Sequence, residues 1–115
     1  MTGYLERGTW RTGWYDTRAT GGAFERPTTQ FRDRISADGS TRHPAEPGRY
    51  HLYVSLACPW AHRTVIFRAL KRLEKVIGIS IVEPVMGDDG WMFGEGPGCI
   101  PDTVNGFRYL HEIYT

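Results

Sequence analysis

The segment Tyr50-His51-Leu52-Tyr53-Val54-Ser55-Leu56-Ala57-Cys58-Pro59-Trp60-Ala61-His62-Arg63 decides the fold. Its first eight residues are rich in β-branched and aromatic side chains and have strand length. Leu52, Val54 and Leu56 alternate onto one face, while Tyr53 and Ala57 make the other face partly apolar. That pattern suits a strand covered on both sides. Cys58-Pro59 then punctuates the chain. Proline is favoured at the first helical position because the N–H it lacks would have no partner there. From Trp60 to about Glu74 the pattern is helical. Ala61, Val65 and Ala69 recur at four-residue steps, and Ile66, Leu70 and Leu73 widen the apolar face. Arg63, Thr64, Arg68, Lys71 and Arg72 fill the remainder and read as a solvated basic side. Ile79–Val85 reads as a second strand, with Gly78 before it and Pro84 at its end or on an edge. Strand, helix and strand within about 35 residues make a βαβ unit, whose strands run parallel.

Outward from that unit the character changes. Residues 1–47 show no sustained period of 2 or 3.6. They carry turn signals at Gly21-Gly22, Arg26-Pro27, Asp38-Gly39 and His43-Pro44, with apolar anchors at Trp10, Trp14, Tyr15, Phe24, Phe31 and Ile35. This predicts an extended N-terminal arm lying along a folded body. Residues 86–108 hold six glycines and two prolines, which predicts a long loop. Tyr109–Tyr114 reads as the start of another helix. The expected division is an arm over 1–47 and a partial α/β domain over 48–115. Two parallel strands and one helix cannot cover a sheet on both faces, so the sequence reads as the opening of a larger α/β protein.

Composition agrees with this. The 115 residues include 14 Lys and Arg against 13 Asp and Glu, so near-neutral charge argues against a basic nucleic-acid surface. Glycine and proline are frequent, with 14 and 7, and apolar residues make up 40%, which leaves a small core. No stretch approaches the about 18–20 continuous apolar residues of a membrane helix, and the N-terminus lacks the apolar core of a secretory signal. Two cysteines cannot make a disulfide scaffold, so a reducing cytoplasm is expected.

Cys58 is the residue with chemistry. It ends a strand and precedes a helix, where first-turn N–H groups and the helix dipole favour negative charge. Thiolate is the reactive form of cysteine, so the position suits nucleophilic attack on sulfur. A dithiol oxidoreductase would carry a second cysteine three residues on, and that position is Ala61. An oxidised Cys58 therefore needs an outside thiol, such as glutathione, to resolve it. Cys99 reads as a loop thiol without a role. Cys58, Cys99 and the four histidines show no metal-ligand spacing. His62 falls within the apolar stripe and reads as a packing residue. Asp88-Asp89 lacks the spacing of a calcium loop. Gly94-x-Gly96-x-Gly98 has no following helix with a phosphate-loop lysine.

The segment Tyr50–Arg63 resembles the active-site strand and helix start of the glutathionyl-hydroquinone reductases, the Xi-class, cysteine-type branch of the glutathione S-transferases. Phe24-x-Arg26-Pro27, Phe31-Arg32 and Asp38-Gly39 are similar to that family's N-terminal extension, and Gly90-Trp91-x-Phe93 to its loop after the second strand. The resemblance covers most of residues 20–115. It implies an incomplete thioredoxin-like domain, with Cys58 as catalytic nucleophile and Trp91 packing against bound glutathione. The implied substrates are glutathione, as a co-substrate, and a glutathionyl-hydroquinone conjugate. No metal, nucleic acid or membrane is implied, and full-length relatives are expected to be homodimers. Family members are over twice this length. They continue into a cis-proline strand, a Glu-Ser pair and a helical domain that have no counterpart in residues 1–115. The chain alone is therefore expected to be inactive. Two alternatives are a non-catalytic module that pairs with a separately encoded remainder, and a glutathione-dependent thiol transferase of omega type.

Overall fold

The computed structural model describes residues 3–14, 16–25 and 28–115. The Arg26-Pro27 turn and the Tyr15 anchor lie outside the described residues. The chain falls into two compact units. One comprises Met1–Trp14 with Gly48–Thr115, and the other Tyr15–Pro47.

In the first unit the expected βαβ is present. Strand β5 (Tyr50–Val54) pairs in parallel with β6 (Ile77–Ile81), in the register Tyr50↔Ile77 through Val54↔Ile81. Helix α1 (Pro59–Leu70) joins them and is the single α-helix among the described residues. Each element differs in extent from the expectation. β5 ends at Val54 because Ser55 turns the chain: its Oγ accepts the Ala57 N–H at 3.2 Å, and its carbonyl accepts the Cys58 N–H at 3.1 Å. A serine hydroxyl that bonds its own backbone competes with the sheet ladder. α1 ends at Leu70 rather than near Glu74. Arg72 sits at φ 55, its N–H donates to Ala69, and the Leu73 N–H donates to Arg68 at 2.9 Å. This is a Schellman cap built on arginine instead of glycine, so the usual stop signal is missing from the sequence. β6 begins two residues earlier than expected. It includes Gly78, where a Cβ would stand 2.6 Å from His51 Nδ1 on the paired strand.

The start of the expected arm is not extended. β1 (Gly3–Glu6) and β2 (Thr9–Thr12) form an antiparallel hairpin in the first unit. Arg7 and Gly8 turn it at φ 50 and 79, the two positive values of a type I′ turn. Arginine in place of the usual Asn or Asp hid that signal. In the second unit, β3 (Ile35–Ser36) and β4 (His43–Pro44) pair in parallel over two residues. Ser36 Oγ, Thr41 Oγ1 and the Arg34 carbonyl tie that turn, and Arg42 bonds Asp33 at 2.7 Å.

The glycine-rich stretch after β6 is an ordered loop. Its bridges join Ile81 to Ile100, Gly87 to Gly90 and Met92 to Tyr109. Leu110–Tyr114, where a helix was expected to open, is a 3-10 turn whose Glu112 carboxylate accepts the Arg108 and Tyr109 N–H groups.

Val54 and Val82 are the buried apolar side chains among the described residues. No residue of α1 is buried, and Trp60, Ile66, Phe67 and Leu70 stand exposed on it. His62, expected to pack in the apolar stripe, is exposed too, while Ala61 and Val65 of that stripe are half-buried. Arg68, expected on the solvated side, is half-buried instead. It reaches the start of β6, where Nε donates to the Ile77 carbonyl at 2.8 Å. No helix among the described residues is long and apolar enough to cross a membrane.

Candidate active site

Cys58 is the N-cap of α1, in extended conformation at φ −92, ψ 113, with Pro59 at N1. The strand run delivers the chain to this point, the Ser55 turn redirects it, and proline opens the helix. The first helical hydrogen bond runs from the His62 N–H to the Cys58 carbonyl at 3.1 Å. The thiol is half-exposed and free. It lies beyond the carboxyl end of β5, the edge at which α/β sheets place their ligands.

Trp91 lies past the carboxyl end of β6. There the loop comes back to the strand through Glu83 N–H to Met92 carbonyl at 2.8 Å. The Trp91 carbonyl accepts the Leu110 N–H at 2.9 Å. Its half-buried side chain lines an apolar cavity of about 240 Å³ together with Leu5, Trp10, Met86 and Leu110. Cys58 is not among the lining residues. Both positions therefore sit at the same end of the sheet, in separate local settings.

Two polar networks, neither evident in the sequence, hold the strands that carry this end. Asp102 is 5% exposed. Its Oδ1 accepts the Tyr53 hydroxyl at 2.9 Å and the Val104 and Asn105 N–H groups at 3.0 and 3.1 Å; its Oδ2 accepts the Phe107 N–H at 3.2 Å. Burial pushes this carboxyl up, but the hydrogen bonds from Asn105, Tyr53, Phe107 and Val104 outweigh it and leave it below the ordinary aspartate value. Burial, followed by the bond to Asp102 and its charge, pushes the Tyr53 phenol up to about 12. Beside this, the fully buried Ser80 donates to the Pro101 carbonyl at 2.8 Å and stands 2.7 Å from His51 Nε2. A serine has one proton to give, so His51 donates from Nε2.

The third feature gives the loop glycines a purpose. The Gly96 N–H donates to Glu83 Oε1 at 2.9 Å, and a Cβ at Gly96 would stand 2.6 Å from Oε2. One at Gly94 would overlap the same carboxylate. The pair wraps Glu83, and the spacing Gly94-x-Gly96 is the signal that could have shown a close approach. At Cys99, burial first, then the influence of the Glu83 carboxylate as acceptor and as charge, pushes the thiol above the ordinary cysteine value. The two cysteines are thus unlike: Cys58 stands at a helix N-cap position, where its thiol makes no side-chain cap hydrogen bond with the first-turn N–H groups, and Cys99 is favoured in its protonated form.

No family model matches the sequence. Over 113 residues the chain is 49% identical to the glutathionyl-hydroquinone reductase PcpF of Sphingobium chlorophenolicum, a match covering 98% of this chain and 35% of that protein. Over 119 residues it is 47% identical to the glutathionyl-hydroquinone reductase YqjG of Escherichia coli, with 97% and 36% covered. Among solved structures, a Xi-class glutathione transferase from Natrialba magadii matches with a TM-score of 0.82 at 47% identity, over 97% of this chain and 32% of that one. The glutathione-bound structure of YqjG matches with a TM-score of 0.69 at 47% identity, over 73% and 30%. The chain spans about a third of the length of the curated relatives it matches.

Proposed function

Because the chain is a homologue within the glutathionyl-hydroquinone reductase family, the Xi-class glutathione transferases, and shares their glutathione transferase-like fold over about a third of their length, we propose that it carries the nucleophilic part of a glutathione-dependent reductase. Cys58 is the nucleophile and Trp91 a glutathione contact. The observation that carries this is the placement of Cys58: N-cap of α1, at the carboxyl end of a parallel strand, with Ala61 where a resolving cysteine would stand. The relative YqjG is known in a glutathione-bound form, which supports glutathione as the thiol.

In the proposed reaction the Cys58 thiolate attacks the sulfur of a glutathionyl-hydroquinone. The sulfur–aryl carbon bond breaks, and its electron pair stays on the ring carbon, which takes up a proton. Cys58 is oxidised to a mixed disulfide with glutathione as the aryl carbon is reduced. A second glutathione thiolate then attacks that disulfide, releasing the Cys58 thiolate and glutathione disulfide. The 115-residue chain supports the thiol steps and does not by itself sustain turnover. The exposed Trp60, Ile66, Phe67 and Leu70 of α1 favour completion by further polypeptide, whether continuous or separately encoded.

The experiment is intact-mass spectrometry after incubation with glutathione disulfide. One glutathionyl group adds, on Cys58, reversibly with excess glutathione; Cys58→Ser abolishes it and Cys99→Ser does not. Addition on Cys99, or none, overturns the assignment. Steady-state reduction of a glutathionyl-hydroquinone by the isolated chain would overturn the statement that it does not turn over alone.

A further inference from the structure

Trp10 is a main point at which the N-terminal hairpin meets the rest of its unit. A Cβ at Gly90 would stand 2.7 Å from Trp10 Cη2, and one at Gly3 would overlap the same ring, so both glycines make room for the indole. Trp10 stacks on His111, with centroids 4.7 Å apart and an interplanar angle of 13°. His111 stacks in turn on Tyr109 at 5.6 Å and 6°. Trp10 Nε1–H donates to the Asp88 carbonyl at 2.9 Å, and the Thr12 hydroxyl reaches the same oxygen at 3.4 Å.

One indole therefore joins the hairpin, the Gly87–Gly90 turn and the 3-10 turn at Leu110–Tyr114. Trp91 is attached at the last two of these. It follows Gly90 directly in the chain, and its carbonyl is held by Leu110 N–H at 2.9 Å. A turn bounded by two glycines has a high conformational entropy unless something fixes it. We propose that Trp10 is a positioning residue for Trp91, so that the N-terminal hairpin sets how well Cys58 captures glutathione. The inference rests on the reading of Trp91 as a glutathione contact.

The test compares two disulfides on the 115-residue chain. With glutathione disulfide, the Cys58 thiolate attacks one sulfur, the Cys58–sulfur bond forms as the S–S bond breaks, and one glutathione thiolate leaves. Cys58 is oxidised and the reagent reduced. Bis(2-hydroxyethyl) disulfide undergoes the same exchange without the peptide arms of glutathione. The ratio of the two rates reads recognition and cancels the reactivity of the thiol. Trp10→Leu lowers the ratio about tenfold, the scale of a small misplacement of a binding group, and leaves the rate with the small disulfide unchanged. Trp10→Phe keeps a stacking ring, loses the N–H to Asp88 and falls between. Circular dichroism checks each variant, and if Trp10→Leu does not fold, Trp10→Phe carries the test. An unchanged ratio in the folded variants overturns the inference, and so does an equal fall with both reagents. If the parent chain shows no preference for glutathione disulfide, or Trp91→Ala does not remove it, the reading of Trp91 fails and the inference with it. A preference that depends on Trp91 but not on Trp10 overturns the inference alone.

Discussion

Replacing Asp102 with Asn tests the carboxylate that ties β5 to the loop beyond β6. The amide oxygen can take the Oδ1 site, where Tyr53, Val104 and Asn105 donate. The NH2 then faces the Phe107 N–H, which loses its acceptor at 3.2 Å and meets another donor. A hydrogen bond to a charged group is worth about 1.5–3 kcal/mol, and the three remaining bonds become neutral ones of about half that strength. Allowing for partial relaxation, Asp102→Asn costs about 3 kcal/mol at neutral pH. Urea unfolding followed by circular dichroism measures this. The pH dependence carries the sharper test. The Asp102 carboxyl is lowered on folding, so its contribution is fully present above the ordinary aspartate value of 3.8 and is lost as pH falls through the lower folded-state value. The gap between parent and variant therefore narrows as pH drops below 3.8. A gap that stays the same at neutral and strongly acid pH would show that the charge is not what the four donors hold, and would refute the reasoning.

Three further outcomes follow from the same geometry. Glu83→Gln removes the charge that helps hold Cys99 protonated, so iodoacetamide labels Cys99 faster at mildly alkaline pH while labelling of Cys58 is unchanged; equal Cys99 rates in parent and variant would count against the Glu83 contact. Gly78→Ala drives the His51 ring off Ser80 and costs about 1–3 kcal/mol. In a His51→Ala background the same change is neutral or stabilising by about 0.5 kcal/mol, and additive effects in this double-mutant cycle would exclude the clash. Tyr53→Phe removes one donor to Asp102 and costs about 1.5 kcal/mol in urea unfolding; the loss should be largely absent in an Asp102→Ala background.

Local chemistry made the centre of this protein legible. A β-branched and aromatic run, a Cys-Pro step and a four-residue apolar repeat act through neighbours in sequence, and they placed β5, α1 and Cys58. The element ends were less legible because their stop signals take unusual residues. Ser55 turns the strand with its hydroxyl, Arg72 rather than glycine caps the helix, and Arg7 rather than asparagine enters the hairpin turn. The side of α1 was misread at two positions: His62 is exposed, and Arg68 turns inward because its guanidinium finds the Ile77 carbonyl, a partner that the helical period does not record.

What the sequence by itself determined is the βαβ order and the cysteine at its turning point, since backbone preference and helix capping are decided within a few residues. Tertiary structure alone decided which glycines are there for space and which side chains work together. Glu83 lies between Gly94 and Gly96, Asp102 reaches back to Tyr53, and Trp10 meets an oxygen 78 residues along the chain. Those pairings are set by burial and hydrogen-bond satisfaction after the chain has closed on itself, and no local periodicity records them.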